Sequence, residues 1–441
     1  MALIEISLDQ PFAVAARPPA YRYRVPGLGL AVLLVLALAG AVPVAAVRWQ
    51  HAGLVPLAAD ADFQIAGGRV FTLEVSGGRR LTSAWTISPL RRLWRATTTA
   101  EDSAGGLIQG GSSVTVAGDV VLLRAGATTT VLDARTGAVR WTSPLPIVAL
   151  SDTVGMVQDE QFQPGTEYDE SSGAPGALFF SAAGRPHTQP PLRTNLTGVD
   201  LATGRTRWIA PFAGSIYPAR ARGVPGALIV LAAGTLWLRS ARDGSVLRSQ
   251  ALPTGPGSAW GNVVGNLLMI RQAGVVSAYT ITDLEKRWQR SEPADDGNSA
   301  SCAGLTCVKS GRRLLVLDPA TGVARWHTGG DVDLLPAAGY ALEMQSGLSR
   351  PLRAVDLGTG AARVDLRDWQ TFALAPGDAG SPIVLSRQVA GGGVKFGVLM
   401  PGRPVVQVLG VTRAAVTDCF ADTHLLACRA RAGIEVFSYA S

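Results

Sequence analysis

The sequence predicts an all-β protein built from one repeated unit, and two observations support this prediction. An eleven-residue phrase recurs at residues 131–141, 198–208 and 316–326, and a weaker copy lies at residues 354–364. The composition has 51 Gly and 27 Pro but few long helical periodicities, which is typical of proteins with many turns. A unit that returns with one strand-turn-strand pattern indicates a repeat architecture.

Each copy of the phrase indicates a strand, a tight turn and a second strand. An apolar run precedes Asp-x-x-Thr-Gly, in which the Asp accepts backbone hydrogen bonds two residues on and the Gly allows a positive φ. A Trp follows at a fixed distance, where a large ring suits the packing of one unit against the next. We assign a structural role to these motif residues: Asp133, Thr136, Gly137, Trp141, Asp200, Thr203, Gly204, Trp208, Trp288, Asp318, Thr321, Gly322, Trp326, Asp356, Thr359 and Gly360.

The spacing of the units predicts their arrangement. With the Trp or its substitute as a marker, the units lie at positions 94, 141, 208, 248, 288, 326 and 364 and near 407. Most intervals are 38 to 47 residues, the span of one four-stranded propeller blade. Three more strand-like runs follow, and we expect an early strand to join them and close the ring. We therefore predict a β-propeller of four-stranded blades, with eight blades favoured and seven also compatible with the spacing.

An apolar segment near the amino terminus predicts a membrane anchor. Residues 25–47 contain no charge, and 23 helical residues reach about 34 Å, enough to cross a bilayer. Three Arg residues precede the segment and one follows it closely, a bias that favours a cytoplasmic amino terminus. The alternative is a cleaved signal peptide, for which Val44-x-Ala46 is a candidate cleavage site.

These observations divide the chain into four parts. We expect a short cytoplasmic segment at residues 1–24, a transmembrane signal anchor at residues 25–47, a tether at residues 48–61 and an extracytoplasmic propeller at residues 62–441. The predicted location is the cell membrane, crossed once.

The four cysteines fit an oxidising compartment. Cys302 and Cys307 bracket one short turn, and Cys419 and Cys428 bracket another. Antiparallel neighbours across such turns can meet the geometry of a disulfide. We predict two local bridges, 302–307 and 419–428. A metal site from these four residues is not expected, because the pairs are over 100 residues apart and no His accompanies them at ligand spacing.

The repeated phrase, Asp-x-x-Thr-Gly followed by Arg-Trp, resembles the pyrrolo-quinoline quinone (PQQ) repeat over about residues 62–441. Such repeats build the propeller of quinoprotein dehydrogenases and also the non-catalytic propeller of the outer-membrane assembly lipoprotein. The resemblance implies the fold and leaves the cofactor open. A catalytic quinoprotein would typically hold calcium and quinone at the propeller axis, with a catalytic Asp, a Trp platform and often a disulfide between adjacent Cys residues. This chain has no adjacent Cys pair.

Several residues outside the motif are candidates for parts of a quinone site. The candidates for a platform are Trp85, Trp237, Trp260 and Trp369, with a core or rim position as the alternative for each. The carboxylates placed between units, and therefore candidates to face the axis, are Asp152, Asp331, Asp333 and Asp378. No role follows for any of them from the sequence, and the four His residues show no metal-ligand spacing.

Two surface features have both a functional and a structural interpretation. Residues 159–193 are an acidic, Pro-containing insertion, either a calcium- or partner-binding excursion or a solvated loop. A cluster of Arg in the first unit is either a contact for anionic lipid headgroups or an exposed hairpin: Arg79, Arg80, Arg91, Arg92 and Arg95.

The net charge of +7 comes from 40 basic residues, of which 37 are Arg, and no basic run is interleaved with stacking aromatics. Nucleic-acid binding is therefore not predicted. We expect a membrane-anchored, extracytoplasmic binding or scaffold module for a protein, peptide or cell-envelope component, without catalytic residues, bound cofactor or metal. The alternative is a PQQ-dependent dehydrogenase with a divergent site, which would bind PQQ and calcium.

Overall fold

The computed structural model describes residues 48–440 except 59–60, 100–111, 170, 172, 174–175, 222–223, 254–259, 273, 293–301, 303, 347–349, 372–380 and 413–414. The described part is built from 37 β-strands and contains no α-helix. None of its elements is a helix that is long and apolar enough to span a membrane. The predicted cytoplasmic segment and transmembrane anchor lie outside the described residues.

The strands form blade-like sheets in chain order. Blade 1 contains β2 (Asp62–Ala66), β3 (Arg69–Ser76), β4 (Arg79–Ile87) and β5 (Leu90–Thr99). Blade 2 contains β6 (Ser113–Ala117), β7 (Val120–Ala125), β8 (Thr128–Asp133) and β9 (Val139–Ser143). Blade 3 contains β10 (Ile147–Ala149), β11 (Val154–Gln161), β14 (Arg193–Asp200) and β15 (Thr206–Ala213), and a separate hairpin contains β12 (Phe179–Phe180) and β13 (Pro186–His187).

The next three blades follow the same order. Blade 4 contains β16 (Ile216–Arg220), β17 (Ala227–Ala232), β18 (Thr235–Ser240) and β19 (Val246–Ala251). Blade 5 contains β20 (Trp260–Val264), β21 (Leu267–Gln272), β22 (Val275–Thr280) and β23 (Lys286–Ser291). Blade 6 has three strands in the described residues, β24 (Cys307–Ser310), β25 (Arg313–Leu317) and β26 (Ala324–His327).

The last three blades complete the ring. Blade 7 contains β27 (Val332–Ala337), β28 (Tyr340–Gln345), β29 (Pro351–Asp356) and β30 (Ala362–Asp365). Blade 8 contains β31 (Gln370–Thr371), β32 (Ile383–Gln388), β33 (Val394–Leu399) and β34 (Val406–Thr412). Blade 9 contains β35 (Val416–Ala421), β36 (Leu425–Ala430), β37 (Gly433–Ala440) and β1 (Arg48–Val55).

The described residues therefore form nine blades, and the prediction of eight was wrong. Eight blades carry a marker position and are each formed by strands in chain order, with the β12–β13 hairpin inserted within blade 3. The ninth has no Asp-x-x-Thr-Gly turn, because its outer strand comes from the other end of the chain. Counting repeated turns therefore misses this blade, although the strands that compose it were recognised.

Strand β1 closes the ring. It pairs antiparallel with β37 from Arg48 opposite Ala440 to Val55 opposite Ile434. This pairing covers the edge that β37 would otherwise expose. Residues 48–55 are thus part of blade 9, so the propeller begins at Arg48 and not at Asp62 as the sequence suggested.

The core lies between successive sheets. The middle strands are buried on both faces, as in β17, all six of whose residues are buried, because each sheet packs against two neighbours. Clusters such as Phe71 with Leu123 join blades 1 and 2, and Leu342 with Leu385 joins blades 7 and 8. The hydrophobic core is therefore distributed over the contacts between blades and has no single centre.

The antiparallel order gives the propeller two different faces. The turns between third and fourth strands, which include the Asp-x-x-Thr-Gly turns, lie at one end of the sheets. We call this end the turn face. The turns between second and third strands and the links between blades lie at the other end, the link face. The first strands lie together, with β2 against β6 and β35, and β16 against β20. First strands therefore line the axis.

Candidate functional site

The motif carboxylates cap their own turns. In blade 2, Asp133 Oδ1 accepts hydrogen bonds from the backbone N–H of Arg135 at 3.0 Å and of Thr136 at 2.8 Å. Its second oxygen accepts from the Arg140 guanidinium at 2.7 Å. The Arg140 hydrogen bond is the main reason that the pKa of Asp133 is held well below its ordinary value. This carboxylate is fully engaged in its own blade.

The arginine in that contact was not assigned a role from the sequence. The same pair, with Arg seven residues after Asp, recurs as Asp200–Arg207, Asp318–Arg325 and Asp356–Arg363. The Arg before each marker was visible in the repeated phrase. The missing information was the register of the hairpin between the third and fourth strands of a blade, which places position seven beside the turn.

Each motif Trp binds the next blade. The indole Nε1 of Trp94 donates to the carbonyl of Ala134 at 3.1 Å, across the boundary between blades 1 and 2. The acceptor always follows the position of the motif Asp by one residue. The other pairs are Trp141 with Leu201, Trp208 with Ala241, Trp288 with Pro319 and Trp326 with Leu357, at 2.9 to 3.0 Å.

The motif Gly provides the space for that ring. A Cβ on Gly137, which has φ +72°, would lie 2.6 Å from the Trp94 ring. Four further Gly residues of the turns have the same relation to the Trp of the preceding blade: Gly204, Gly244, Gly322 and Gly360. A large side chain and an absent one are therefore combined at five of the boundaries between blades, and the Gly is required for packing as well as for φ.

At the boundary between blades 9 and 1, the small residue holds the marker position and the large residue holds the turn position. The register of β1 places Gly53 at the marker position, and the turn position of blade 1 is held by Leu90. A Cβ on Gly53 would lie 2.7 Å from Leu90 Cδ2. In blade 8 the marker position is held by Gly410, three residues beyond the position near 407 that the spacing predicts. Trp49 packs over Gly410. Trp49 also stacks on Phe437, with ring centroids 4.5 Å apart.

Two boundaries use other side chains. Blade 4 has Arg248 at the marker position, and blade 5 has Leu284 in place of the turn Gly. Leu284 keeps the left-handed conformation, with φ 59°, and is buried. At the boundary of blades 7 and 8, Val364 and Val406 lie in one hydrophobic cluster. At these two boundaries, the space between the marker position and the next blade is filled by side chains other than Trp and Gly.

Both predicted disulfides are confirmed. Cys419 and Cys428 are direct partners on β35 and β36, the first two strands of blade 9. Cys307 lies on β24, whereas Cys302 precedes that strand. Neither cysteine pair leaves a free thiol.

The described residues of the insertion form an excursion on the link face. The strands on either side of the insertion, β11 and β14, are paired up to its base, where Gln161 pairs with Arg193. Phe162 stacks on His187 with ring centroids 3.7 Å apart, and Glu160 accepts from the backbone N–H of Ala182 at 2.9 Å. The side chain of Phe180 remains 40% exposed at its tip.

A cleft of about 250 Å³ lies beside the inner strands of blades 3 and 4. Arg124 of blade 2 and Arg220 of blade 4 line it, with an apolar floor that includes Met156 and Leu228. Ala182 of the insertion also borders it. The described residues that line this cleft include no acidic side chain.

A second, larger cleft of about 600 Å³ lies on the face of blade 7 that is turned to blade 6. Its charged side chains pair with one another. Buried Glu343 accepts from Arg353 at 2.6 Å, and Asp365 pairs with Arg367 at 2.6 Å. These internal pairs leave little unsatisfied charge for a ligand.

The described candidates for a quinone platform are not brought together. Trp85 and Trp369 lie in different inter-blade clusters, and Trp237 in a third. The side chain of Trp260 and residue Asp378 lie outside the described residues. In the part of the chain that the structure describes, no three His, Cys, Asp or Glu side chains are grouped to hold a metal.

The Arg cluster of blade 1 divides into two kinds of residue. Arg79, Arg91, Arg92 and Arg95 are exposed, whereas Arg80 is only 7% exposed. Two nitrogens of Arg80 have no hydrogen-bond partner, and burial lowers its pKa. The exposed members keep the hypothesis of a headgroup contact as a prediction.

Nine sheets, with an indole-to-carbonyl hydrogen bond at five of the boundaries between them, define a β-propeller of PQQ-type repeats. A comparison with protein families matches residues 45–164 and 192–331 to the family described as outer membrane protein assembly factor BamB. The chain belongs to this family.

Solved structures with a similar fold include BamB from Moraxella catarrhalis, which is 13% identical with a TM-score of 0.37 over 89% of this chain and 98% of that one. A quinohemoprotein alcohol dehydrogenase from Pseudomonas putida is 12% identical, with a TM-score of 0.40 over 88% of this chain and 76% of that one. A europium-containing methanol dehydrogenase is 8% identical, with a TM-score of 0.41 over 89% and 93%. A comparison with curated proteins found no match.

Proposed function

We propose that the chain is a membrane-anchored, extracytoplasmic propeller that serves as a rigid binding or scaffold module for a protein partner of the cell envelope. One observation carries the proposal: the conspicuous residues of the repeats have structural roles, since each Asp pairs with an Arg of its own blade and each motif Trp packs over a Gly of the next blade. The link face also carries one inserted hairpin that is not part of the repeats. Broad faces with variable loops suit protein binding, and the fold itself fixes no chemistry.

Other observations agree with this proposal. The family is named for assembly of outer membrane proteins, a role in which a module contacts other proteins. The two disulfides suit a compartment outside the cytoplasm. The uncharged residues 25–47 supply the proposed anchor, with a cleaved signal peptide as the alternative. We assign no catalytic residue, cofactor or metal.

The insertion is the part of the link face best placed to contact a partner. Phe180 and Leu192 are 40% and 63% exposed, an unusual position for two large apolar side chains on one excursion. Ala182 and Glu160 hold the excursion to blade 3, so its apolar side chains are presented from a rigid base.

The test is site-specific photo-crosslinking in intact cells, with a photoreactive residue at position 180 or 192. We expect one envelope protein to be captured from both positions. A matched control carries the same photoreactive residue at Val246, which is 47% exposed on the outer strand of blade 4. Capture of the same protein from all three positions, or of none, would contradict the proposal.

A deletion variant separates binding from folding. Replacing residues 162–192 by Asn-Gly joins β11 to β14 directly, because Gln161 and Arg193 are already paired. We expect the thermal midpoint to be retained and the partner to be lost. The enzymatic alternative predicts instead that the full chain, given PQQ and calcium, oxidises alcohols or sugars.

A further inference from the structure

We propose that the cleft beside the inner strands of blades 3 and 4 binds a carboxylate side chain of a peptide segment, flanked by an apolar residue. This inference rests on the proposed binding function and names the chemistry of the partner. Arg124 and Arg220 supply the positive charge, and Leu150, Met156 and Leu228 supply the apolar floor.

The two guanidinium groups are held in place but not neutralised. Arg124 donates Nε–H to the carbonyl of Gly126 at 3.0 Å, and Arg220 donates from Nη2 to the carbonyl of Leu150 at 3.0 Å. Neither forms an ion pair with a carboxylate among the described residues. Because each guanidinium has five N–H donors, most of them stay available to an acceptor in the cleft.

The surroundings of the cleft favour an anion over a cation. None of the described lining residues is acidic. The nearby carboxylate of Glu160 is already engaged by Gln158 Nε2 and by the backbone N–H of Ala182. Two unneutralised guanidinium groups in a half-enclosed, partly apolar space attract a planar carboxylate, which pairs with them through charge-assisted hydrogen bonds.

The size of the cleft limits the occupant. A volume of about 250 Å³ is below that of sites for drug-sized ligands, and it suits one acidic side chain with part of its neighbour. Val148 on β10, 48% exposed at the cleft, offers an apolar contact beside the charges. A peptide with an Asp or Glu next to a Leu or Val fits these features.

Position also points to a peptide. The cleft adjoins the insertion through Ala182, so a segment bound to the insertion can continue into the cleft. The first strands of blades 3 and 4 line the axis, where an extended chain can enter from the link face. One partner can thus occupy both surfaces.

The direct test measures binding of a peptide array to the full chain in detergent micelles. The array pairs peptides that have a central Asp or Glu between Leu and Val with peptides that have Asn or Gln there. We expect at least about tenfold preference for the carboxylate peptides, from the loss of one charge-assisted contact pair. Arg124→Gln and Arg220→Gln should each weaken binding about tenfold, and the exposed Arg248→Gln should not.

Three results would overturn the inference: equal binding of the acid and amide peptides, binding that is unchanged in both variants, or displacement of the peptides by phosphatidylglycerol vesicles through the same arginines. The thermal midpoints of the variants are measured in parallel, because Arg220 also ties blade 4 to blade 3. A partner still captured in cells through position 180 but not through a photoreactive residue at position 148 would leave the proposed function standing and exclude the cleft.

Discussion

Leu90 occupies the space that a Cβ on Gly53 would need, because such a Cβ would lie 2.7 Å from Leu90 Cδ2. This contact reverses the Trp-over-Gly contact found between other blades. Gly53 lies on the strand that closes the ring, and Leu90 is the first residue of β5, at the position that the turn Gly holds in other blades. At this boundary, as at the five Trp-over-Gly boundaries, the space is filled by one large and one absent side chain, whichever blade supplies the large one. This rule makes specific predictions about stability.

The first prediction concerns Gly322→Ala, which we expect to lower the free energy of unfolding by about 2 kcal/mol more than a matched control. A Cβ at position 322 would lie 2.5 Å from the Trp288 ring. The control is Gly402→Ala, where φ is +72° but no atom lies within 4 Å. Both substitutions strain the backbone and only the first meets a ring, so equal urea midpoints would disprove the packing role.

The second prediction is a coupling between positions 248 and 284. We expect Arg248→Trp alone to destabilise, because Leu284 already fills the space for an indole. Leu284→Gly alone should relieve a φ of 59° but leave a cavity. The double variant should recover at least about 1 kcal/mol relative to the sum of the single changes. A thermodynamic cycle from urea denaturation measures this, and additive effects would count against it.

The third prediction concerns the disulfide in blade 9. Cys419→Ala with Cys428→Ala should lower the free energy of unfolding by about 2 kcal/mol, because a closed loop restricts the unfolded chain. The Cys302 and Cys307 pair closes a shorter loop, with a sequence separation of 5 rather than 9. Removal of that pair should cost about 0.5 kcal/mol less. Denaturation of the two double variants compares them, and the reverse order would contradict the loop argument.

The fourth prediction is a loss of stability in acid. The pKa of Asp133 and of Asp318 is lowered, chiefly by hydrogen bonds from Arg140 and Arg325, and that of Asp365 is lowered to about 2 by Arg367. Groups whose pKa is lowered on folding stabilise the protein above their unfolded pKa. That stability falls as the pH drops through the folded values.

We therefore expect the thermal midpoint to be constant above about pH 5 and to fall steeply between about pH 4 and pH 2. Asp318→Asn should lower the midpoint at pH 7 and flatten this acid dependence. A variant with an unchanged acid profile would show that the turn carboxylates do not contribute.

The local parts of the fold were predictable because their causes are local. Asp-x-x-Thr-Gly sets a hairpin within a few residues, and both disulfides join cysteines that are close in sequence. The acidic insertion was also recognised, although its hairpin and the Phe162–His187 stack were not. Arg140 and its equivalents were missed because their role depends on hairpin register.

By itself, the sequence determined that the chain forms a ring of antiparallel sheets with a Trp packed between successive units, since each turn carries its own chemistry. Only the tertiary structure decided that there are nine blades, that Arg48–Val55 completes the last one, and that Trp49 covers Gly410. It also placed Arg124 and Arg220 at one cleft. The physical reason is distance along the chain: these contacts join residues far apart in sequence, and closure of the ring selects which of them meet.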